Sequence, residues 1–353
     1  MLPALRNDRP LSVALTADPE LPVPPQFYGG IERIVDILAR GLNDRGHSVT
    51  LFAHPNSRSG GRLVSWPGHD SRSRRSTLNN AWALMRHVSG ANFDVVHSFS
   101  RLAYLTALLP LRVPKIMSYQ REISPRTVCW GHALSRGTLH FTAVSHRMMR
   151  SVQEIGRWTM IPNGVPLDRY SFRAESSADA PLVFLGRIEE IKGPHLAIEI
   201  AKRVGRQLII AGNIPDEKRS WAEEFVLPHV DDQLIRYIGP VNDAQKNVLL
   251  GTAAALLMPI LWDEPFGIVM IEAMACGTPV IGLARGAVPE IILDGVTGFV
   301  CEDTHRLVAA VGRLPDIVRA ACRRRVEEFY SEAAVVDAYL ALYRELVAAS
   351  RKW

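Results

Sequence analysis

The first half of the chain alternates short apolar segments with an amphipathic one. Leu11–Ala17 is almost wholly apolar and has the length of a buried strand. Within Ile31–Asn43 the apolar positions recur at helical spacing, which predicts a helix, and Gly46 marks its end. His47–Ala53 is a second strand candidate. A strand, a helix and a strand in this order predict the βαβ unit of a parallel sheet.

Further apolar segments continue this pattern up to a polar stretch near the middle of the chain. The strand candidates that follow in the first half are Phe93–His97, Pro114–Ser118 and Leu139–Val144. Between residues 57 and 76 the chain is rich in Ser, Arg and Gly, which predicts a mobile loop. Asp168–Ala180 is hydrophilic and predicts a linker between two domains.

The alternation starts again after this linker. A helix candidate in the second half is Pro194–Val204. Its strand candidates are Leu182–Leu185, Gln207–Ala211, Ile235–Ile238, Ala254–Met258 and Pro279–Gly282. We therefore expect an α/β protein with two Rossmann-like domains, whose parallel sheets face each other across a cleft and bind ligands at the carboxyl ends of the strands. The expected domains are 1–167 and 168–330, and a C-terminal helix over 331–353 is expected to pack back toward the N-terminal domain.

Composition and charge narrow the function classes. Of the 353 residues, 47% are hydrophobic and 22% charged, a balance that allows a large core and excludes disorder for most of the chain. The net charge is 21 − 11 = +10 up to Tyr170 and 20 − 25 = −5 beyond it. The basic half predicts an anionic partner, although Arg scattered over a solvated surface gives the same count. Because the N-terminus lacks the apolar core of a signal peptide, we expect a cytoplasmic protein.

Several motifs of nucleotide and hydrolase chemistry are absent from the sequence. The chain has no GxGxxG after its first strand, no GxxxxGK[ST], no HExxH and no GxSxG. A dinucleotide fingerprint, a P-loop, a zinc protease helix and a hydrolase nucleophile elbow are therefore not expected. The four cysteines lack the spacing of metal ligands, and no Asp-x-Asp occurs, so we expect no metal site.

Two cations follow the first strand candidate of the second half. Gly186 lets the chain turn away from the strand, and Arg187 and Lys192 then lie near the carboxyl edge of the sheet, just before a helix. A guanidinium and an ammonium group together suit a diphosphate. A solvated basic pair at a helix start is an equally good interpretation of the spacing alone.

A second segment, Glu264–Val280, joins an acidic loop to a predicted helix that starts near Gly267. The free backbone N–H groups at that helix start form an anion site. Glu272 lies over one turn inside the helix, where its carboxylate can accept two hydrogen bonds from a ribose 2′,3′-diol. Glu264 lies in the preceding loop. An alternative explanation for each glutamate is that its charge complements the helix dipole. Another is that the two form a glycosidase carboxylate pair, although the sequence gives no evident reason for a raised pKa of either one.

A third motif, Tyr28-Gly29-Gly30-Ile31-Glu32, stands at the start of the first predicted helix; such glycines allow close approach of a ligand or simply shape a turn. The chain resembles glycosyltransferase family 4, whose members are retaining enzymes of the GT-B fold. The matching segments are FYGGIERIVDILARGLNDRGHSVTLFA, DVVHSFS, FTAVSHRMM, IPNGVPLDRYSF, FLGRIEEIKGPHLAIEIAK, EPFGIVMIEAMACGTPVIG and GAVPEIILDGVTGFV. They occur in family order and cover nearly the whole chain.

The resemblance implies a hexosyltransferase-type enzyme and a role for each motif residue. Arg187 and Lys192 would hold the diphosphate of the donor and neutralise the departing nucleotide. Glu264 would contact sugar hydroxyls, and Glu272 would bind the ribose diol. The remaining donor contacts would come from Gly29, Gly30, Gly186, Phe266, Gly267, Ile268 and Val269.

Two further residues are candidates for sugar or acceptor contacts. His97 lies in a loop that lines the cleft in such enzymes, although a buried histidine at a strand end is the slightly better interpretation. Gln120 stands where family members often carry a His after the fourth strand, and an amide cannot titrate near neutral pH. This departure puts the identity of the donor sugar in doubt more than the class of reaction.

The resemblance also implies the reaction. A sugar would move from a nucleotide diphosphate to an acceptor hydroxyl with retention of configuration, without metal or cofactor, and the leaving phosphate would take the acceptor proton. No residue resembles an activated nucleophile beside a base, which agrees with such front-face displacement. A nucleotide-sugar epimerase and a non-catalytic nucleotide-sugar-binding protein are the alternatives.

The expected partners follow from the same comparison. The acceptor would be a saccharide, a lipid-linked molecule or a small molecule held by the N-terminal domain. The basic loop around Arg72, Arg74 and Arg75 adds an anionic membrane surface to these partners, with peripheral association at the inner face of the membrane. Nucleic acid is not expected.

Overall fold

The protein is described from a computed structural model, which covers residues 9–25 and 29–350. The chain divides into two compact units. The first unit holds the chain up to Asn163 together with the segment from Glu332 onward, and the second unit runs from Gly164 to Ser331. Tyr28 of the third motif, and residues 1–8 of the segment that predicts no signal peptide, lie outside the described residues.

A seven-stranded parallel sheet forms the centre of the first unit, in the order β3-β2-β1-β4-β5-β6-β7. Its strands are β1 Ser12–Thr16, β2 Ser48–Ala53, β3 Arg62–Ser65, β4 Val95–Ser98, β5 Lys115–Tyr119, β6 Leu139–Ala143 and β7 Trp158–Met160. Its helices are α1 Gly30–Asp44, α2 Arg74–Gly90, α3 Leu102–Leu105, α4 Pro125–Leu134 and α5 His146–Met149.

The middle of this sheet is the strand β1. Val13 of β1 lies in register with Val49 of β2 on one side and with Val95 of β4 on the other. The chain order therefore reverses between β1 and β4, and ligands bind parallel sheets outside the carboxyl ends of the strands at such a point. On one face of the sheet, Ile34 and Leu38 of α1 are fully buried in the same hydrophobic core as Val13.

The second unit contains a six-stranded parallel sheet in the order β10-β9-β8-β11-β12-β13. Its strands are β8 Leu182–Leu185, β9 Leu208–Ala211, β10 Ile235–Tyr237, β11 Ala255–Met258, β12 Val280–Leu283 and β13 Gly298–Cys301. Its helices are α6 Pro194–Val204, α7 Arg219–Phe225, α8 Asp243–Thr252, α9 Ile268–Ala275, α10 Val288–Ile291, α11 Thr304–Gly312 and α12 Arg319–Phe329. Its topology repeats that of the first unit, because β8 again lies between strands of opposite chain order.

The last helix, α13 (Glu332–Ser350), belongs to the first unit and packs against α1. The two helices approach closely at Gly41, where a Cβ atom would lie 2.5 Å from a methyl carbon of Val336. Val335 and Tyr339 of α13 are buried in the same core as α1. These apolar residues of α13 therefore complete the hydrophobic core of the first unit on the side of α1.

The fold class predicted from the sequence is confirmed, because both sheets are wholly parallel with helices between their strands. The prediction of a mobile loop over residues 57–76 is wrong in part. β3 pairs with β2 in this stretch, and α2 begins at Arg74, where the Ser73 hydroxyl accepts a hydrogen bond from the Ser76 N–H. β3 is a four-residue edge strand with exposed ends, so its sequence carries little apolar signal.

Candidate active site

The turn after β8 places the first of the predicted cations. Gly186 directly follows β8. Its carbonyl oxygen lies close to Gly212, the residue after β9, where a Cβ atom would come within 1.8 Å of that oxygen. Arg187 forms an ion pair with Glu189, with 2.8 Å between Nη2 and Oε1. Because the Glu189 side chain is buried while the Arg187 side chain is partly exposed, the pair holds the guanidinium at the carboxyl edge of the sheet.

The second cation is brought to the loop after β11 by a glycine. Gly193 has φ +76°, and a Cβ there would lie 2.1 Å from the carbonyl oxygen of Pro259. This close approach puts Lys192 beside that loop, where its ammonium nitrogen forms a salt bridge with Glu264. The same nitrogen lies 4.7 Å from the centre of the Trp262 ring.

The Glu264 carboxylate is held through one of its two oxygens. Oε2 accepts hydrogen bonds from Lys192 Nζ and, at 3.0 Å, from the indole N–H of Trp262. Among residues 9–25 and 29–350, none donates a hydrogen bond to Oε1. The side chain is only 12% exposed, so Oε1 is a fixed acceptor with unused capacity.

The loop after β12 supports the backbone of Glu264. Gly286 has φ +55°, and a Cβ there would lie 2.3 Å from both the backbone nitrogen and the carbonyl oxygen of Glu264. The Ala287 N–H donates a 2.9 Å hydrogen bond to that carbonyl. The segment GAVPE therefore contributes to the site by packing, a role that its sequence does not indicate.

Glu272 of α9 also has one oxygen engaged and one open. Oε1 accepts hydrogen bonds from Lys246 Nζ at 2.5 Å and from the Tyr170 hydroxyl at 2.8 Å. No donor to Oε2 is found in the described part of the chain. Glu272 is 6% exposed and lies past the first turn of α9, which makes complementarity to the helix dipole a weak explanation for it.

The sequence analysis did not identify Lys246 and Tyr170 as site residues. Lys246 lies in the first turn of α8, a helix capped by Asn242 and Gln245, and its side chain is only 12% exposed. Tyr170 lies within the hydrophilic stretch Asp168–Ala180 that predicts a linker. Nothing in the local pattern separates Lys246 from a solvated helix lysine, because its partner Glu272 is 26 residues away in the chain.

The start of α9 offers backbone donors. Gly267 has φ +81° and caps the helix, and Phe266 before it is buried and packs edge-on against the ring of Tyr330. The first turn holds no acidic side chain. Within the described residues, no oxygen accepts from the N–H groups of Ile268 and Val269. A helix start of this kind stabilises an anion such as a phosphate.

The remaining candidates lie in the first unit, near the carboxyl edge of its sheet. Gly29 precedes α1 with φ +153°, and a Cβ there would lie 2.6 Å from Pro25 and 2.9 Å from Oε2 of Glu32. Gly30 is the first residue of α1. Gln120 follows β5, and its amide nitrogen is buried without a hydrogen-bond partner in the described residues. That amide donor is free for a ligand oxygen.

A carboxylate cluster not identified from the sequence accompanies these residues. Asp18, just after β1, is buried, and its Oδ2 lies 2.8 Å from a guanidinium nitrogen of Arg121. Burial raises the pKa of Asp18, and Arg121 lowers it in part. Burial also raises the pKa of Glu32 in α1, with the negative charge of Asp18 adding to the shift.

His97 lies in the interior of the first unit, the position given by the slightly better of its two interpretations from the sequence, and not in a loop. It is 0% exposed on β4, and its ring nitrogens lie 2.6 Å from the Tyr343 hydroxyl and 2.6 Å from the Ser118 hydroxyl. Burial lowers the pKa of His97 to about 3, so the imidazole is neutral. Its two nitrogens are occupied by the fold and leave none for a sugar hydroxyl.

Metal ligands and membrane-spanning helices can be assessed within residues 9–25 and 29–350. No three His, Cys, Asp or Glu side chains in these ranges are close enough together to share a metal ion. None of the helices in these ranges is long and apolar enough to span a bilayer.

Two family descriptions match most of the chain. Residues 28–169 match Glycosyltransferase Family 4, and residues 171–319 match Glycosyl transferases group 1. Together they span both units described above. The second match contains the loop after β8, the loop after β11 and α9.

Individual relatives support the same assignment. The chain is 34% identical to glycogen synthase from Mycobacterium tuberculosis over 175 residues, which are 47% of this chain and 42% of that protein. The chain thus spans less than half the length of that relative. A phosphatidyl-myo-inositol mannosyltransferase from Mycolicibacterium smegmatis is 28% identical over 334 residues, 82% of each chain.

A solved structure extends the likeness to the whole fold. AviGT4, a glycosyltransferase involved in avilamycin A biosynthesis, superimposes with a TM-score of 0.73 at 25% identity, over 96% of this chain and 98% of that one. The family matches, the two parallel sheets and this superposition agree with one another. The protein belongs to glycosyltransferase family 4 and has the GT-B fold.

Proposed function

We propose that the protein transfers a sugar from a nucleotide diphosphate sugar to an acceptor hydroxyl with retention of anomeric configuration, the second unit binding the donor and the first unit the acceptor. The observation that carries the proposal is shared by Glu264 and Glu272. Each carboxylate is largely removed from solvent, has one oxygen tied to a lysine and a neutral donor, and keeps the other oxygen open. Such oxygens suit the hydroxyl groups at two ends of a nucleotide sugar.

The diphosphate would lie between these carboxylates. Arg187 and Lys192 in the segment after β8, and the free N–H groups at the start of α9, supply positive potential from two segments of the second unit. Lys192 exchanges its salt bridge with Glu264 for a phosphate oxygen when the donor binds. These groups stabilise the charge that grows on the leaving diphosphate, which is the main electrostatic demand of the reaction.

The bond changes balance without a protein nucleophile. The bond from the anomeric carbon to the diphosphate oxygen breaks, a bond from that carbon to the acceptor oxygen forms on the same face, and the acceptor proton passes to the leaving phosphate. Histidine is the usual general base near neutral pH, but His97 cannot act as one because it is fully buried and its pKa is lowered to about 3. The enzyme then acts through positioning and charge stabilisation.

Glu272 would accept one ribose hydroxyl through Oε2 rather than two through both oxygens. Oε1 already accepts two hydrogen bonds, from Lys246 and Tyr170, which fills its lone pairs. A bidentate contact with the ribose diol, as expected from the sequence, requires Lys246 or Tyr170 to move. Glu264 would accept a sugar hydroxyl through its open Oε1.

Gln120 and the two glycines before α1 would contribute from the first unit. The unpartnered amide nitrogen of Gln120 can donate to a hydroxyl or phosphate oxygen but cannot exchange a proton. Gly29 and Gly30 place backbone without side chains at the start of α1. These groups are the ligand contacts that we propose for the first unit.

The deciding experiment is a thermal-shift and turnover panel. The protein is screened against UDP-, GDP- and ADP-sugars, and a ligand at 100 times its dissociation constant adds about 2.7 kcal/mol to the free energy of unfolding. Donor consumption is then followed with and without a panel of acceptors. Acceptor-dependent consumption with retained configuration supports the proposal. A rearranged nucleotide sugar formed without acceptor indicates an epimerase, and binding without consumption indicates a binding protein.

We also propose that the first unit associates with an anionic membrane through one face of α2. Leu78 and Trp82 lie one turn apart and are 70% and 64% exposed. Arg74, Arg75 and Arg86 are exposed on the same helix, which contains no acidic residue. An apolar strip flanked by cations and free of carboxylates is typical of helices that lie in a bilayer interface.

Liposome sedimentation tests this surface. We expect binding to vesicles with an anionic lipid at low salt, weaker binding at high salt, and loss of binding in Leu78→Ser/Trp82→Ser. Trp130→Ser is the matched control, since Trp130 is also exposed, at 71%, but lies on α4. Equal binding of all three proteins, or binding of none, contradicts the assignment to α2.

A further inference from the structure

Trp262 contacts both oppositely charged groups at one end of the candidate donor site. Its indole N–H donates a 3.0 Å hydrogen bond to Oε2 of Glu264. The face of its ring lies 4.7 Å from the ammonium nitrogen of Lys192. Lys192 and Trp262 therefore share the same carboxylate oxygen, and Trp262 contacts both partners of this ion pair.

We propose that Trp262 is a positioning residue that keeps Glu264 and Lys192 in place when a nucleotide sugar separates their charges. The inference rests on the donor role proposed above. When the ammonium of Lys192 turns to a phosphate oxygen, Oε2 of Glu264 loses one of its two donors. The indole N–H is then the donor that remains, and it holds Oε1 toward the sugar.

The face of the Trp262 ring makes a second, independent contact, with Lys192. A cation over an aromatic ring is attracted by the ring quadrupole whether or not a carboxylate is near. The Trp262 ring thus attracts the ammonium of Lys192 without accepting a hydrogen bond from it. All three N–H groups of the ammonium stay available to oxygen atoms. The N–H group acts on Glu264 and the ring acts on Lys192, so the two contributions can be removed separately.

Two substitutions make this separation. Trp262→Phe keeps a ring beneath Lys192 and removes the donor to Glu264. Trp262→Leu removes both the donor and the ring. Trp158→Phe is the matched control, since Trp158 of β7 in the other unit also donates one indole hydrogen bond, at 2.8 Å to the carbonyl of Ile155. Melting temperatures of all three variants report whether the fold is retained.

Binding is measured by calorimetry with three probe pairs, which are UDP-glucose and UDP, GDP-mannose and GDP, and ADP-glucose and ADP. For the pair that the wild type binds, Trp262→Phe is expected to weaken the nucleotide sugar about tenfold, the size of one hydrogen bond to a charged group, and to leave the nucleoside diphosphate unchanged. Trp262→Leu is expected to weaken both ligands, and Trp158→Phe neither. Slow hydrolysis of the same donor gives kcat and KM for each variant.

The outcomes are distinct. Wild-type affinity of Trp262→Phe for the nucleotide sugar overturns the inference while the proposed function stands. Equal weakening of sugar nucleotide and free diphosphate by Trp262→Phe also overturns it, since a general support of the loop would act in that way. Failure of the wild type to bind any probe overturns the proposed function and the inference with it.

Discussion

Lys246 lies 2.5 Å from Glu272, its ammonium nitrogen paired with Oε1 of a carboxylate that a tyrosine hydroxyl also contacts. The two residues come from different helices, α8 and α9, and both side chains are about nine-tenths buried. A buried carboxylate without a cation would be costly to keep charged. Lys246 therefore gives the buried Glu272 carboxylate an ion-pair partner through Oε1, and the second oxygen stays open for a ligand.

Loss of the Glu272 carboxylate should weaken donor and free nucleoside diphosphate alike. In Glu272→Ala we expect the free energy of binding to fall by roughly 1.5–3 kcal/mol for both ligands, because the lost bonds go to a charged acceptor. Isothermal calorimetry on the folded variant gives both values. Unchanged affinity for the diphosphate would remove Glu272 from the binding site.

Loss of Lys246, the partner of Glu272, should also weaken nucleotide binding, but its effect should not add to that of losing Glu272. Lys246→Met keeps most of the side-chain volume and leaves the buried carboxylate without its cation. We expect weaker nucleotide binding, and in the double variant Glu272→Ala/Lys246→Met a loss smaller than the sum of the two single losses. Lys202→Met, on an exposed part of α6, is the control. Additive losses would show that Lys246 does not act through Glu272.

The cations near the diphosphate should matter most during bond breaking. Arg187→Ala is expected to lower kcat about a hundredfold with a smaller effect on KM, since charge on the leaving group grows in the transition state. Lys192→Ala should lower kcat similarly and also raise KM, because it releases Glu264. Steady-state kinetics with the best acceptor of the panel supply these constants. A raised KM at unaltered kcat in Arg187→Ala would contradict the assignment.

Catalysis should not depend on a divalent cation. Arg187 and Lys192 already supply two positive charges where a metal would neutralise the diphosphate. We expect the same turnover in EDTA as in Mg²⁺ or Mn²⁺, measured with enzyme dialysed against chelator. Activity that disappears in EDTA and returns with either ion would show that these side chains do not suffice.

The buried histidine should make the protein sensitive to acid. His97 has a pKa of about 3 in the fold and about 6.5 in the unfolded chain, so between these values only the unfolded chain takes up the proton. Each pH unit below 6.5 then lowers the free energy of unfolding by about 1.4 kcal/mol through this group. Urea unfolding at several pH values from 7 to 4 should show a shallower decline in His97→Gln than in wild type. If the free energy of unfolding falls equally with pH in both proteins, His97 is not the source of the acid sensitivity.

The sequence by itself determined the class of fold and most of the donor motifs. Apolar segments such as Leu182–Leu185 and the helical spacing in Pro194–Val204 predict elements that the structure contains within a residue or two. This succeeds because strand and helix periodicity are local properties of the chain. The candidates Arg187, Glu264 and Glu272 carry charged groups in their own side chains, which is why motif spacing could propose them as site residues.

Only the tertiary structure decided which atoms of those residues are free. Lys246 and Trp262 reach the two glutamates through contacts that packing creates, and no local pattern marks either residue. For His97 the sequence left a ligand contact and a buried histidine both open, and the fold surrounds its ring with the hydroxyls of Ser118 and Tyr343. Burial and hydrogen-bond partners depend on residues far apart in the chain, so the spacing of one segment cannot supply them.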